Sequence, residues 1–299
     1  MAIPTETVYG LAGNAFSSDA VIKIFEVKNR PTFDPLIVHV SSLQRVAEIT
    51  THIPPKAVRL AEAFWPGPLT LLLEKRPVIP DIVTSGLPAV AVRIPDHPLT
   101  LELLDSLSFP LAAPSANPFG YVSPTTARHV DDQLGMKIAY ILDGGDCHIG
   151  IESTIIGFKD EQPEIYRLGG ISVEELEFVI GKVSVRRYSS SRPEAPGSLE
   201  SHYAPGKKLI LADILSEEVS TGNKPPGWIR FNKPDPGVPL ENQVILSPEG
   251  DLKEAAKNLF SALRKMDEFD VPYIIAELVP EEGLGRAIND RLRRAAARL

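Results

Sequence analysis

Residues 17 to 40 read Ser17-Ser18-Asp19-Ala20-Val21-Ile22-Lys23-Ile24-Phe25-Glu26-Val27-Lys28-Asn29-Arg30-Pro31-Thr32-Phe33-Asp34-Pro35-Leu36-Ile37-Val38-His39-Val40. Two periodicities meet in this stretch. Val21, Ile24 and Phe25 fall at helical spacing behind a Ser-Ser-Asp capping cluster, which predicts a helix over 19–29 that Pro31 ends. The apolar run Leu36–Val40 then reads as a strand. The same alternation continues outward. Leu69–Glu74, Ala89–Ile94, Ile138–Leu142, Ser153–Phe158 and Ile165–Leu168 are strand candidates, with helical patterns at 55–64, 98–107, 124–135 and 172–181. This is a mixed α/β pattern whose connections are too varied to give the strand order.

From Val183 to Lys208 the pattern stops. Three consecutive serines and several prolines mark a linker, although its tail carries His202 and Tyr203, which a spacer does not need. A second α/β unit follows, with strands at Leu209–Ala212, Trp228–Phe231, Val244–Leu246 and Tyr273–Leu278 and helices near 251–268 and 284–298. The division expected is therefore 1–182, a linker at 183–208, and 209–299. In the last helix Ile288, Leu292, Ala295 and Leu299 make the apolar stripe, and Arg291, Arg293 and Arg294 are expected on a solvated face.

Composition narrows the function classes. The chain has 299 residues, 43% of them hydrophobic and 23% charged, which suits folded two-domain architecture. A net charge of −8 argues against a protein whose main task is coating nucleic acid. No run approaches the ~20 apolar residues of a membrane span, and no secretory leader is visible, so a cytoplasmic protein is expected. A single cysteine, Cys147, excludes an internal disulfide framework and a polythiolate zinc site.

Several residues stand out chemically. Lys28 continues the apolar stripe of its helix, so it either snorkels or meets an anion, and Arg30 follows on the turn. His39 sits inside an apolar strand, as a core group or a ligand. Strand alternation puts Ala89, Ala91 and Arg93 on one face, with room beside the arginine. Ser115 and Asn117 end a buried apolar run, Gly150-x-Glu152-Ser153-Thr154 sets hydroxyls beside a glycine turn, and Arg167 precedes Gly169-Gly170. Cations and small hydroxyls at element ends suit a phosphate- or carboxylate-bearing ligand without naming a reaction.

The ordered set of motifs is more specific. Pro4-Thr5-Glu6-Thr7-Val8-Tyr9-Gly10-Leu11, Lys28-Asn29-Arg30-Pro31, Pro35-Leu36-Ile37-Val38-His39, Trp65-Pro66-Gly67-Pro68-Leu69-Thr70, Val92-Arg93-Ile94-Pro95-Asp96-His97-Pro98, Ala113-Pro114-Ser115-Ala116-Asn117 and Glu152-Ser153-Thr154 closely resemble the threonylcarbamoyl-AMP synthase family, the YrdC-like enzymes. His202-Tyr203-Ala204-Pro205 and Gly283-Leu284-Gly285-Arg286-Ala287-Ile288 resemble its long form. The resemblance implies a twisted mixed-sheet YrdC-like catalytic domain followed by a smaller Rossmann-like α/β domain. It also implies a nucleotidyltransferase that joins L-threonine, bicarbonate and ATP, accompanied by Mg²⁺, into threonylcarbamoyl-AMP and pyrophosphate. The product would serve the downstream machinery that installs t6A in tRNA.

Carried over by position, Lys28, Arg30, Ser115 and Asn117 would be catalytic. Arg30, Asp34, Asn117, Ser123, Arg167 and Tyr203 would hold ATP, and Thr7, His39, Arg93, Ser115 and Ser153 threonine, with Tyr203 closing as a lid. No metal ligand is expected from the protein. Three departures accompany the match. The family usually places a helix and a strand before the Pro-Thr-x-Thr segment, so an open sheet edge is expected here. Asp34 stands where asparagine is common, and Leu168 where proline is. Two other readings predict different behaviour: an RNA-binding or ribosome-maturation module, and a related carbamoyl-transfer enzyme.

Overall fold

The computed structural model describes residues 1–186, 195–196, 202–214 and 224–297. The serine run and half of the expected linker lie outside these residues.

The helix predicted around Val21 forms over Ser18–Lys28, with the Ser17 side chain accepting from the Ala20 amide and Asn29 closing the helix in the left-handed region at φ 52°. Val21, Ile24 and Phe25 are buried on one core with Leu36, Val38, Leu69, Leu71, Val90 and Val92. That core lies against an eight-stranded mixed sheet. Its spatial order is Ser184–Val185, Gln162–Arg167, Thr154–Lys159, Leu69–Glu74, Ala89–Arg93, Ile37–His39, Leu111–Ala112, Gly13–Asn14. Ile37–His39 and Ala89–Arg93 run parallel, with His39 opposite Arg93, so those two side chains leave the same face at the same level. A separate two-stranded pair joins Ala2–Ile3 to Gly10–Leu11.

The second unit is a four-stranded, wholly parallel sheet ordered Leu209–Leu211, Ile274–Ala276, Gly227–Arg230, Gln243–Ile245. Helices Leu252–Glu268 and Gly285–Ala296 pack on it. Its core also takes in Val8, Val122, Ile151 and Tyr203 from the N-terminal side of the chain, so the two units share buried apolar surface. Arg264 reinforces the seam by donating to the Val122 carbonyl and to Gln133 Oε1 (3.0 Å), and Tyr121 donates to Asp267 Oδ2 (2.6 Å). Gly150 lies so close to Lys257 that a Cβ there would sit 2.4 Å from its backbone. Among the described residues no helix is long and apolar enough to cross a membrane.

Two sequence expectations need correction, and one element is added. Ile138–Leu142 is not a strand. It makes one isolated bridge, Ala2 to Ile141, while Tyr140 is exposed and no neighbour extends the ladder. The helix Leu43–Ile49, capped by Ser42, was not anticipated. The arginines of the last helix are not all solvated: Arg293 is exposed, but Arg291 and Arg294 are 0% and 3% exposed. A polar face reads as solvated from sequence because helical periodicity shows only the local stripe. Here that face meets Glu152 and the Tyr203 ring, brought from elsewhere in the chain, with Asp290 of the same helix beside them.

Candidate active site

A cleft enclosing about 550 Å³, its mouth included, opens on the first unit beneath Pro196, His202 and Tyr203 of the linker. His39 and Arg93 enter it from the ends of their parallel strands, Ser153 from the residue before Thr154–Lys159, and Arg167 from the end of Gln162–Arg167. Arg30 comes from the turn after the first helix and Ser115 from the loop after Leu111–Ala112. His202 and Tyr203 cover the other side. Residues at the ends of parallel strands are where α/β folds hold ligands.

Each cation is fixed by identifiable partners. Arg93 Nη2 lies 2.7 Å from the buried Glu6 carboxylate, and its Nε donates to the Gly67 carbonyl at 3.2 Å. Arg30 is paired with Asp34 at 2.8 Å and donates to the Asp34 and Pro35 carbonyls. Arg167 donates through Nε and Nη2 to the Ser153 carbonyl at 3.1 and 2.9 Å, and Nη2 also reaches Ser153 Oγ at 2.9 Å. Gly169 makes this possible: a Cβ there would lie 2.4 Å from the Glu152 carbonyl oxygen. Lys28 is buried and donates to the carbonyls of Ser115 and Asn117, fixing the backbone of the Ser-x-Asn loop.

Seven of the twelve predicted site residues line the cleft: Arg30, His39, Arg93, Ser115, Ser153, Arg167 and Tyr203. The other five, Thr7, Lys28, Asp34, Asn117 and Ser123, stand behind its wall. Thr7 Oγ1 meets Thr5 Oγ1 at 2.8 Å, and it is Thr5 that faces the cleft. Asn117 Nδ2 donates to the Pro118 and Tyr121 carbonyls. Ser123 donates to Glu152 Oε1 at 2.6 Å. Sequence reasoning missed Glu6, Glu152 and His202 as members of the site. Each lies inside a quoted motif, but only the fold shows what it meets.

Burial sets the protonation states. It holds His39 down at about 3, aided by neighbouring Arg93, so the imidazole is neutral near pH 7, and its Nδ1 has no hydrogen-bond partner among the described residues. His202 is likewise held well below the usual histidine value by burial and then by Arg294, Arg30, Lys28 and Arg167. Burial and neighbouring Arg30 also push Lys28 well below an ordinary lysine. For Glu152 burial acts upward, but Arg291 and Arg167 outweigh it and the net direction is down. The result is an enclosed, net cationic site with neutral hydrogen-bonding groups beside it, suited to a polyanion and a small polar molecule. Among the described residues no group of three His, Cys, Asp or Glu is placed to hold a metal ion.

Comparison with known proteins agrees with this architecture. Residues 1–169 match the Sua5/YciO/YrdC family model, described as telomere recombination, and residues 171–297 match that of threonylcarbamoyl-AMP synthase, C-terminal domain. The chain is 42% identical to the threonylcarbamoyl-AMP synthase of Pyrococcus abyssi, over 99% of this chain and 90% of that protein. It is 41% identical to the threonylcarbamoyl-AMP synthase of Bacillus subtilis, over 99% and 89%. The crystal structure of P. abyssi Sua5 complexed with L-threonine superposes with a TM-score of 0.91 at 40% identity, covering 99% of this chain and 89% of that one.

Proposed function

The chain belongs to the threonylcarbamoyl-AMP synthase family, and from that premise we propose that it condenses L-threonine, bicarbonate and ATP into threonylcarbamoyl-AMP and pyrophosphate, in the cytoplasm. The adenylate would be consumed by the machinery that makes t6A in tRNA. We assign the catalytic unit to residues 1–182, the lid to 183–208 and the second α/β unit to 209–299. The observation that carries the reading is one cleft lined together by Arg93, neutral His39, Arg30, Arg167 and the small hydroxyl residues Thr5, Ser115 and Ser153.

The chemistry follows from that arrangement. The threonine amine attacks the bicarbonate carbon and water leaves, giving a carbamate. A carbamate oxygen then attacks the α-phosphorus in line, and the bond to the bridging oxygen breaks to release pyrophosphate. Both reactants are anions, so the barrier is dominated by bringing like charges together, and fixed cations lower it. In this assignment Arg93 takes the threonine carboxylate, with His39 and Ser153 as hydrogen-bonding groups and Thr7 acting through Thr5. Arg30 and Arg167 take phosphate oxygens, and Tyr203 closes over the nucleotide. Ser115 faces the reacting groups, while Lys28 and Asn117 hold its loop. Ser123 acts from behind the wall through Glu152. Asp34, also assigned to the ATP side, pairs with Arg30 at 2.8 Å and acts on the nucleotide through that cation. Mg²⁺ enters with ATP as part of the substrate and offsets phosphate charge.

Phosphorus NMR of ATP incubated with the protein, Mg²⁺ and bicarbonate tests this reading. Pyrophosphate should appear only when L-threonine is added. Equal release without threonine, or none from folded protein, contradicts it.

A further inference from the structure

We infer that Arg291, in the last helix of the second unit, is a positioning residue for the nucleotide half of the cleft: it neutralises Glu152 so that Arg167 stays available to an anion. The inference rests on the proposed ATP chemistry and assigns that chemistry a residue from outside the catalytic unit. Arg291 is 0% exposed. Its Nε and Nη2 both reach Glu152 Oε2 at 3.2 Å, and its Nη1 donates to Asp290 at 2.8 Å. The other oxygen of Glu152 accepts from Ser123 Oγ. Both Glu152 oxygens are therefore committed, one to each unit of the fold.

Glu152 lines the cleft beside Ser153, on whose carbonyl Arg167 rests. A buried carboxylate beside two arginines will use both if it is left short of charge. With Arg291 in place, Glu152 is satisfied from behind and Arg167 keeps its position on Ser153. Without it, Arg167 is the other cation acting on the Glu152 charge, and the carboxylate competes with any phosphate for it. The same guanidinium lies 5.2 Å from the centre of the Tyr203 ring, which also has Arg294 at 4.8 Å and Phe260 stacked at 5.5 Å. One side chain thus touches both the carboxylate that governs Arg167 and the aromatic ring that covers the cleft.

A scaffold residue would give the same contacts but a different response, and the full-length chain distinguishes the two. Binding of a non-hydrolysable ATP analogue is measured by calorimetry for wild type, Arg291→Met, Arg291→Lys, Glu152→Gln and the Arg291→Met, Glu152→Gln double variant, with thermal midpoints and KM values for ATP and threonine. Arg291→Met should weaken analogue binding and raise the ATP KM by about tenfold or more, with the threonine KM within about twofold. Arg291→Lys should recover part of the loss. The decisive expectation is rescue. Removing the Glu152 charge in the Arg291→Met background should restore much of the affinity, because nothing then competes for Arg167. Arg286→Ala breaks an exposed contact between the units, to Glu174, and should change none of these values.

If Arg291→Met fails to fold, the double variant, in which neither charge is left unpaired, carries the test against wild type and Glu152→Gln. The inference is overturned by wild-type analogue binding in Arg291→Met, by equal loss for ATP and threonine accompanied by a lowered midpoint, or by a double variant no better than the single one. Analogue binding needs no turnover. A wild type that binds the analogue but forms no pyrophosphate would therefore overturn the proposed reaction while the Arg291 comparison still stands.

Discussion

Replacing Glu6 by glutamine should destabilise the protein and make L-threonine a stronger stabiliser than it is in wild type. The Glu6 and Arg93 side chains are 0% and 4% exposed, and the carboxylate lies 2.7 Å from Nη2. Glutamine keeps the shape and removes the charge, leaving a buried guanidinium that still donates to the Gly67 carbonyl but has lost its counter-ion. Breaking a buried pair from one side costs about 3–5 kcal/mol. At about 2–4 °C per kcal/mol for a chain of this class, the first unfolding transition should fall by roughly 6 °C or more. Threonine offers a replacement carboxylate. At 100 times its dissociation constant it returns about 2.7 kcal/mol to any folded state that binds it. It should therefore recover a large part of the deficit in Glu6→Gln, and serine, with the same carboxylate, should do so as well. Differential scanning calorimetry with and without amino acid measures both effects. An unchanged midpoint in Glu6→Gln refutes the buried pair, and a midpoint that falls but does not respond to threonine refutes Arg93 as its carboxylate anchor.

Three further outcomes follow from the geometry. Lys28→Met leaves the Ser115 and Asn117 carbonyls without their donor, at about 1–3 kcal/mol each. Amide exchange in residues 113–119 should rise and turnover fall, and unchanged exchange would contradict the clamp. Gly169→Ala puts a Cβ 2.4 Å from the Glu152 oxygen, so Arg167 must shift. The ATP KM should rise about tenfold with little change for threonine, a pattern that ordinary misfolding would not give. His39 stays neutral in the folded protein down to about pH 3, whereas the unfolded chain protonates it near 6.5. The unfolded state binds more protons between those values, so stability falls as pH drops. His39 alone contributes a loss of about 2 kcal/mol between neutral pH and pH 5. Urea titrations of wild type and His39→Gln should show a steeper decline in wild type, and parallel curves would refute it.

Local pattern revealed much of this molecule. The helix over Ser18–Lys28 was legible because its stripe, cap and terminating proline agree, and Leu69–Glu74 because a β-branched or leucine-rich run has little else to do in an α/β chain. Ile138–Leu142 misled because apolar content alone does not supply a strand partner. In the site, the cations were legible as residues on unexpected faces, Lys28 above all. Their counter-ions were not. Glu6, Asp34 and Glu152 look like ordinary carboxylates until the fold sets them against Arg93, Arg30 and Arg291. For the same reason the sequence did not separate residues that face the cleft from residues that hold those in place. Thr5 against Thr7 and Ser115 against Asn117 differ only in which way a turn points them.

The most direct test of the account follows carbon instead of phosphate. The purified chain is incubated with ATP, Mg²⁺, L-threonine and ¹³C-bicarbonate, and the nucleotide products are separated at once and weighed by mass spectrometry. The account predicts an adenylate that carries one threonine and one ¹³C carbon, formed only when all three substrates are present. An adenylate of threonine without the labelled carbon, or labelled carbon transferred without an adenylate, would contradict it.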